Sequence, residues 1–181
     1  MRNVLTGQAL LIVCFVFYLI WWYRGYRPGV SVDRVRGLNG LLLLLTVAFG
    51  IAGVALSLMP GTVDALKIKP ATILIAAVAL YILLLIITCL IFHRAVTTEL
   101  FLIVAWTALE AQVVNSLNAL GALSDGRTPV MICVLALAFA VSLILYVAYY
   151  RMEEMKAFYA AMVPLIAGQL STALLLLLAL L

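Results

Sequence analysis

The chain has 181 residues, 68% of them hydrophobic and only 10% charged, with a formal net charge of +4. Soluble domains average about half apolar and a quarter charged residues, so this composition excludes a water-soluble globular fold and points to an integral membrane protein. The positive balance belongs to connections at a membrane surface and is not a nucleic-acid footprint.

The expected fold class is all-α, a six-transmembrane-helix bundle forming one membrane domain over residues 1–181. Its first span, about 4–23, carries LLIVCFVFYLIWWY and is long enough to cross a bilayer at about 1.5 Å per residue. A signal peptide would have a shorter apolar region and a small-residue cleavage site, whereas this run ends in Trp21, Trp22, Tyr23 and Arg24. It therefore reads as a retained helix with its aromatic end at the headgroups. Pro28 and Gly29 then break the chain within an arginine-rich connection.

The second span, about 38–59, contains Thr46, Ala48, Gly50, Ala52, Gly53 and Ser57. Small residues at such spacings let helix backbones approach, so this helix is expected to be packed centrally. Pro60-Gly61 stops it, and Pro70 opens a third span, about 71–92, rich in Leu, Ile and Ala with Tyr81 at mid-depth. The fourth, about 96–121, holds most of the intramembrane polar residues. The fifth runs about 130–150, and the sixth, about 157–181, carries the sequence to its last residue without a further tail. Connections this short predict antiparallel neighbours.

Positive charge marks orientation. The first, third and fifth connections hold Arg24, Arg27, Arg34, Arg36, Arg94, Arg151 and Lys156, against Arg2, Lys67, Lys69 and Arg127 elsewhere. Lysine and arginine accumulate on the cytoplasmic side, so both termini are expected to be extracytoplasmic, in a plasma (inner) membrane. The inward helix ends, Trp22-Tyr23-Arg24, Phe92-His93-Arg94 and Tyr150-Arg151, share an interfacial anchor chemistry rather than a strict repeat.

Little here suggests catalysis. HExxH, GxSxG and Walker-type motifs are missing, and Asp33, Asp64 and Asp125 lie in different connections. Glu99 and Glu110 stand eleven residues apart, roughly 16 Å along one helix, too far for a carboxylate pair. Cys14, Cys89 and Cys133 fall at different depths, which prevents a shared metal or ready disulfide pairing, and His93 stands alone at an interface. No catalytic residue, metal ligand or cofactor is assigned.

The fourth span is the exception to an otherwise ordinary membrane sequence. Glu110, Gln112, Asn115 and Asn118 lie within AWTALEAQVVNSLNALG, residues 105–121. At about 100° per residue, Glu99, Ile103, Trp106 and Glu110 share a face; Thr107 and Asn118 lie about 60 to 80° round from it, and Asn115 about 140°. Gln112 points nearly opposite Glu110 and is set apart from any single site.

An acidic residue at the centre of an isolated spanning helix costs about 2.5 to 3.5 kcal/mol, against about 0.3 to 0.6 returned by each large aliphatic residue. The nine Leu, Ile, Phe and Val residues from Leu100 to Leu117 thus return about 3 to 5 kcal/mol, most of it consumed by Glu110 alone. This helix needs partners, and the expected ones are Gln169 beside Ser171 and Thr172, Tyr81 and Thr46, with Gln8 at the level of Asn115 and Asn118.

Burial disfavours a charged carboxylate, so Glu110 is expected to be neutral unless a cation or a water-filled cavity meets it. It could tie helices together, bind a proton or cationic substrate, or act as a general acid or base. The reading adopted is a small polytopic transport protein, or the substrate-binding membrane subunit of a larger one. It would move a small molecule or ion through a polar cavity formed by Glu110, Asn115, Asn118, Gln169, Tyr81 and Thr107. Its partners would be the lipid bilayer, that substrate, and further copies or other membrane subunits, with no nucleic acid. The alternative is a non-catalytic structural or assembly subunit of a larger membrane complex. In size alone the chain is similar to the substrate-binding subunits of energy-coupling-factor vitamin transporters, which however keep their ends in the cytoplasm.

Overall fold

The structure is a computed structural model that describes residues 1–28, 36–58, 66–92, 98–148 and 151–181. Several sequence landmarks lie outside those residues: Gly29, Asp33, Arg34, Pro60-Gly61, Asp64, His93-Arg94 and Tyr149-Tyr150.

Six helices account for nearly all of the described chain: α1 Arg2–Tyr26, α2 Arg36–Ser57, α3 Pro70–Phe92, α4 Thr98–Ala119, α5 Arg127–Ala148 and α6 Glu154–Leu180. Each is long and apolar enough to cross a membrane, and the described residues contain no strand. In hydrocarbon only a helix or a closed barrel satisfies every backbone N–H and C=O, and uninterrupted apolar runs of this length choose the helix. Pro70 starts α3, where its missing N–H is no loss. At the end of α4, Gly121 takes the left-handed conformation at φ 72°, letting the amides of Ala122 and Leu123 return to the carbonyl of Leu117.

The packing has a centre and two outriggers. Helices α4, α5 and α6 contact one another, α1 lies against α6, α2 makes its main contact with α1, and α3 makes its main contact with α4. One buried cluster joins Val113, Val114 and Leu117 of α4 to Met131 and Leu135 of α5, Leu175 and Ala179 of α6, and Val4 of α1. A second, formed by Leu100, Val104 and Tyr146, is covered in part by Tyr81 from α3.

The α1–α2 contact is the most extensive between helices among the described residues. A Cβ on Gly7 would come 2.5 Å from Ser57 Oγ and 2.6 Å from Ser57 N, and one on Gly53 would come 2.7 Å from Leu11. The small residues of α2 therefore permit backbone approach, as their spacing implies. They serve one main neighbour, α1, however, and Leu44 and Ile51 on the same helix remain exposed at 65% and 67%. Thus α2 is peripheral, contrary to the central position expected for it; intimacy with one partner does not require enclosure by several.

Aromatic side chains collect where α1 ends. Trp22 stacks on Tyr26 at 4.5 Å, the Arg27 guanidinium lies 5.3 Å over the Tyr23 ring, and Tyr23 meets Phe158 near the start of α6. Rings and an arginine stem of this kind suit the boundary between hydrocarbon and headgroups. The opposite end is stitched by polar contacts. Arg127 Nη1 donates to the carbonyl of Leu178 at 3.1 Å, placing a cation at the carbonyl end of α6.

Candidate functional site

The site grows from the register of two helices that run in the same direction. A Cβ on Gly168 of α6 would stand 3.1 Å from Trp106 Nε1 of α4, and one turn further along both helices Thr172 Oγ1 donates to Glu110 Oε1 at 2.8 Å. Both pairs differ by 62 in residue number, so α4 and α6 face each other in parallel across this groove. The shared face of Trp106 and Glu110, four residues apart, is thereby turned toward α6.

Enclosure is complete around the carboxyl. Glu110 and Thr172 are 0% exposed and Ser171 2%. From α1, the Phe15 ring meets Trp106 edge-on with centroids 4.3 Å apart, and its Cζ lies 3.6 Å from the Cβ position of Gly168. Three helices thus close the groove. Gly168 matters because it has no side chain: a β-carbon there would press on the indole nitrogen. One turn earlier, Pro164 lies inside α6, where it offers no N–H to the carbonyl four residues before it and weakens the helix locally.

The Thr172 hydroxyl faces two acceptors, Glu110 Oε1 at 2.8 Å and its own helix's Gly168 carbonyl at 3.0 Å. One hydroxyl proton cannot serve both fully. When the carboxyl is ionised the hydroxyl donates to Oε1. When it is protonated, the carboxyl O–H can donate to Thr172 Oγ1 while the threonine proton turns to Gly168, where Ser171 Oγ also donates at 2.8 Å. The contact accommodates both protonation states without moving a heavy atom. Glu110 Oε2 and Trp106 Nε1 are buried with no hydrogen-bond partner among the described residues, and no ion pair there involves Glu110.

The other polar residues expected around Glu110 are engaged elsewhere. Asn115 holds the backbone of Ile68 at two points, with Nδ2 donating to its carbonyl at 2.7 Å and Oδ1 accepting its N–H at 3.3 Å. Asn118 Nδ2 faces Thr128 Oγ1 at 2.8 Å, the Leu123 carbonyl at 3.1 Å and Asp125 Oδ1 at 3.2 Å. Together with the Lys67–Asp125 ion pair at 2.7 Å they fasten the segment before α3 to the α4–α5 turn. Lys67 and Asn118 hold the Asp125 carboxyl below its ordinary value.

Thr107 donates to Ile103 within its own helix, and Tyr81 packs edge-on against Phe101. Gln169 is half-buried and forms no hydrogen bond with Glu110; Thr172, three residues on, takes that place. Thr46 donates to Leu42 in its own helix, and Gln8 to Ser57 of α2 at 3.2 Å rather than to either asparagine. Gln112 is buried on another side, its Nε2 3.5 Å from Ser116 Oγ.

Sequence reasoning thus set Trp106 on the right face without assigning it a task, and passed over Gly168 and Pro164. The available signal was a proline and a glycine four residues apart inside an apolar span, with a hydroxyl four residues beyond. Against known protein families, curated proteins and solved structures, the chain finds no match.

Proposed function

We propose that the chain is a small polytopic membrane transport protein in which Glu110, at the α4–α6 contact, binds the proton or small cation that is moved. It would act as a homo-oligomer or as the membrane subunit of a larger transporter. The observation that carries this reading is the incomplete partnering of a fully enclosed carboxyl: among the described residues one oxygen meets a single hydroxyl, and the other meets no hydrogen-bonding group. A group serving only to tie helices would do so with less desolvation as an amide or hydroxyl, because burying a carboxyl is costly unless it is well bonded. Ionisable residues retained within spans are by default functional.

The enclosing side chains narrow the cargo. Glu110 is fully buried, and Trp106 and Phe15 fill the groove against Gly168 one turn away, which favours a proton over a bulky molecule. Access would come from movement of α6, weakened at Pro164 just before the contact. Asn115 and Asn118, fastened to the connections, would hold the frame against which α6 moves. We further propose a plasma (inner) membrane location with both termini outside, from the excess of lysine and arginine in the first, third and fifth connections. A reporter fused after Leu181 should then be active only outside the cytoplasm.

The direct test is proton flux into liposomes containing the purified protein and an internal pH-sensitive dye. Flux should be present with the native chain and lost in Glu110→Gln, with the variant as well folded as the parent by thermal unfolding. A stable Glu110→Gln protein with unaltered flux would end the proposal. Absence of flux from the native chain, together with constant co-purification with unrelated membrane proteins, would favour an assembly subunit instead.

A further inference from the structure

We propose that Trp106 and Glu110 hold one buried water molecule between α4 and α6, the indole Nε1–H donating to the water oxygen and the water donating to Glu110 Oε2. The inference rests on the reading of Glu110 as a proton-binding group and supplies that group with a second neighbour.

Its basis is a complementary pair. Trp106 Nε1 can only donate and Glu110 Oε2 accepts in either protonation state when Oε1 is the atom carrying the proton. Both atoms are buried without a partner among the described residues. Buried polar groups in native proteins are nearly always hydrogen-bonded, so two complementary orphans in one groove call for a shared partner. The side chains stand four residues apart on one helix, about 5 to 6 Å between β-carbons, and both point at α6. A water needs two to four polar partners to be held in a protein interior, and this pair provides two.

Because Gly168 has no β-carbon, which would stand 3.1 Å from the indole nitrogen, the indole N–H can lie against α6 beside the carboxyl; a side chain there would displace it. Thr172 then anchors one carboxyl oxygen and the water anchors the other, fixing the plane in which the proton is taken up or released. Trp106 is a positioning residue in this scheme. It acts through the water and does not itself exchange the proton.

The test uses the full chain with nitrogen-15-labelled tryptophan in lipid nanodiscs. Its three tryptophans, Trp21, Trp22 and Trp106, give three indole N–H resonances, and that of Trp106 is identified by its contact with the Phe15 ring. The expected result is a cross-peak between the Trp106 indole proton and a long-lived water, lost in Gly168→Ala and in Glu110→Leu. A native Trp106 proton with no water cross-peak overturns the proposal, as does a cross-peak that survives Gly168→Ala unchanged. If no water is seen but the resonance shifts in Glu110→Gln, the indole bonds the carboxyl directly and the water site falls. A cross-peak without proton flux removes the transport reading and leaves the water; flux without a cross-peak does the reverse.

Discussion

Replacing Thr172 by valine keeps the branched shape of the side chain and removes the only hydrogen bond that the described residues make to either Glu110 oxygen, at 2.8 Å. Two magnitudes bear on the result. Stranding a buried acceptor costs about 1 to 3 kcal/mol in water-soluble proteins. Hydrogen bonds between helices in a membrane average about 0.6 kcal/mol and reach about 1.7, because the separated helices find other partners in lipid. The second range governs here, since the unfolded reference remains in the bilayer, and the complete enclosure of both side chains places this bond toward its upper end.

Thr172→Val should therefore lower stability by about 1 to 1.7 kcal/mol, and Thr172→Ser, which keeps the donor, by clearly less. The assay is reversible unfolding in mixed micelles, run as a double-mutant cycle with Glu110→Met. In the Glu110→Met background Thr172→Val should cost clearly less, since only the bond to Gly168 within α6 is then lost. Coupling smaller than about 0.3 kcal/mol would mean that the two side chains do not depend on each other, refuting the α4–α6 register on which the site is built.

Gly7→Ala brings a β-carbon within 2.8 Å of the Gly53 carbonyl and closer still to Ser57 N. Backbone atoms cannot step aside, so α1 and α2 must separate, at about 1 to 3 kcal/mol by the same unfolding measurement. Gly40→Ala meets nothing within 4 Å and should match or slightly exceed the native stability; equal behaviour of the two variants would contradict the close α1–α2 approach. The Asp125 clasp carries a pH signature. Because Lys67 and Asn118 lower the carboxyl's folded value, the contact contributes stability above the ordinary aspartate range and is lost as pH falls through the lowered value. The Asn118 side-chain amide resonance should hold steady through the ordinary aspartate range and move only at more acidic pH, and Asp125→Asn should abolish that acid transition.

The six spans were legible in the sequence because the requirement behind them is local: in hydrocarbon each run must satisfy its own backbone, so length and apolarity alone define the helix. Sequence also identified α4 as dependent on its neighbours, since Glu110 consumes most of the insertion free energy of that span. The identity of those neighbours was not legible. Leu74, Leu90 and Ile91 on α3 are exposed at 64%, 70% and 65%, yet differ in no way from core leucines and isoleucines. When lipid is as apolar as the interior, hydrophobicity does not mark the buried face. Angle around α4 likewise grouped Asn115 and Asn118 with Glu110, but angle carries no information about which backbone or loop stands opposite. Only the tertiary structure, by setting Trp106 against Gly168 and Glu110 against Thr172, separated the residues that fasten the connections from the carboxyl they leave enclosed.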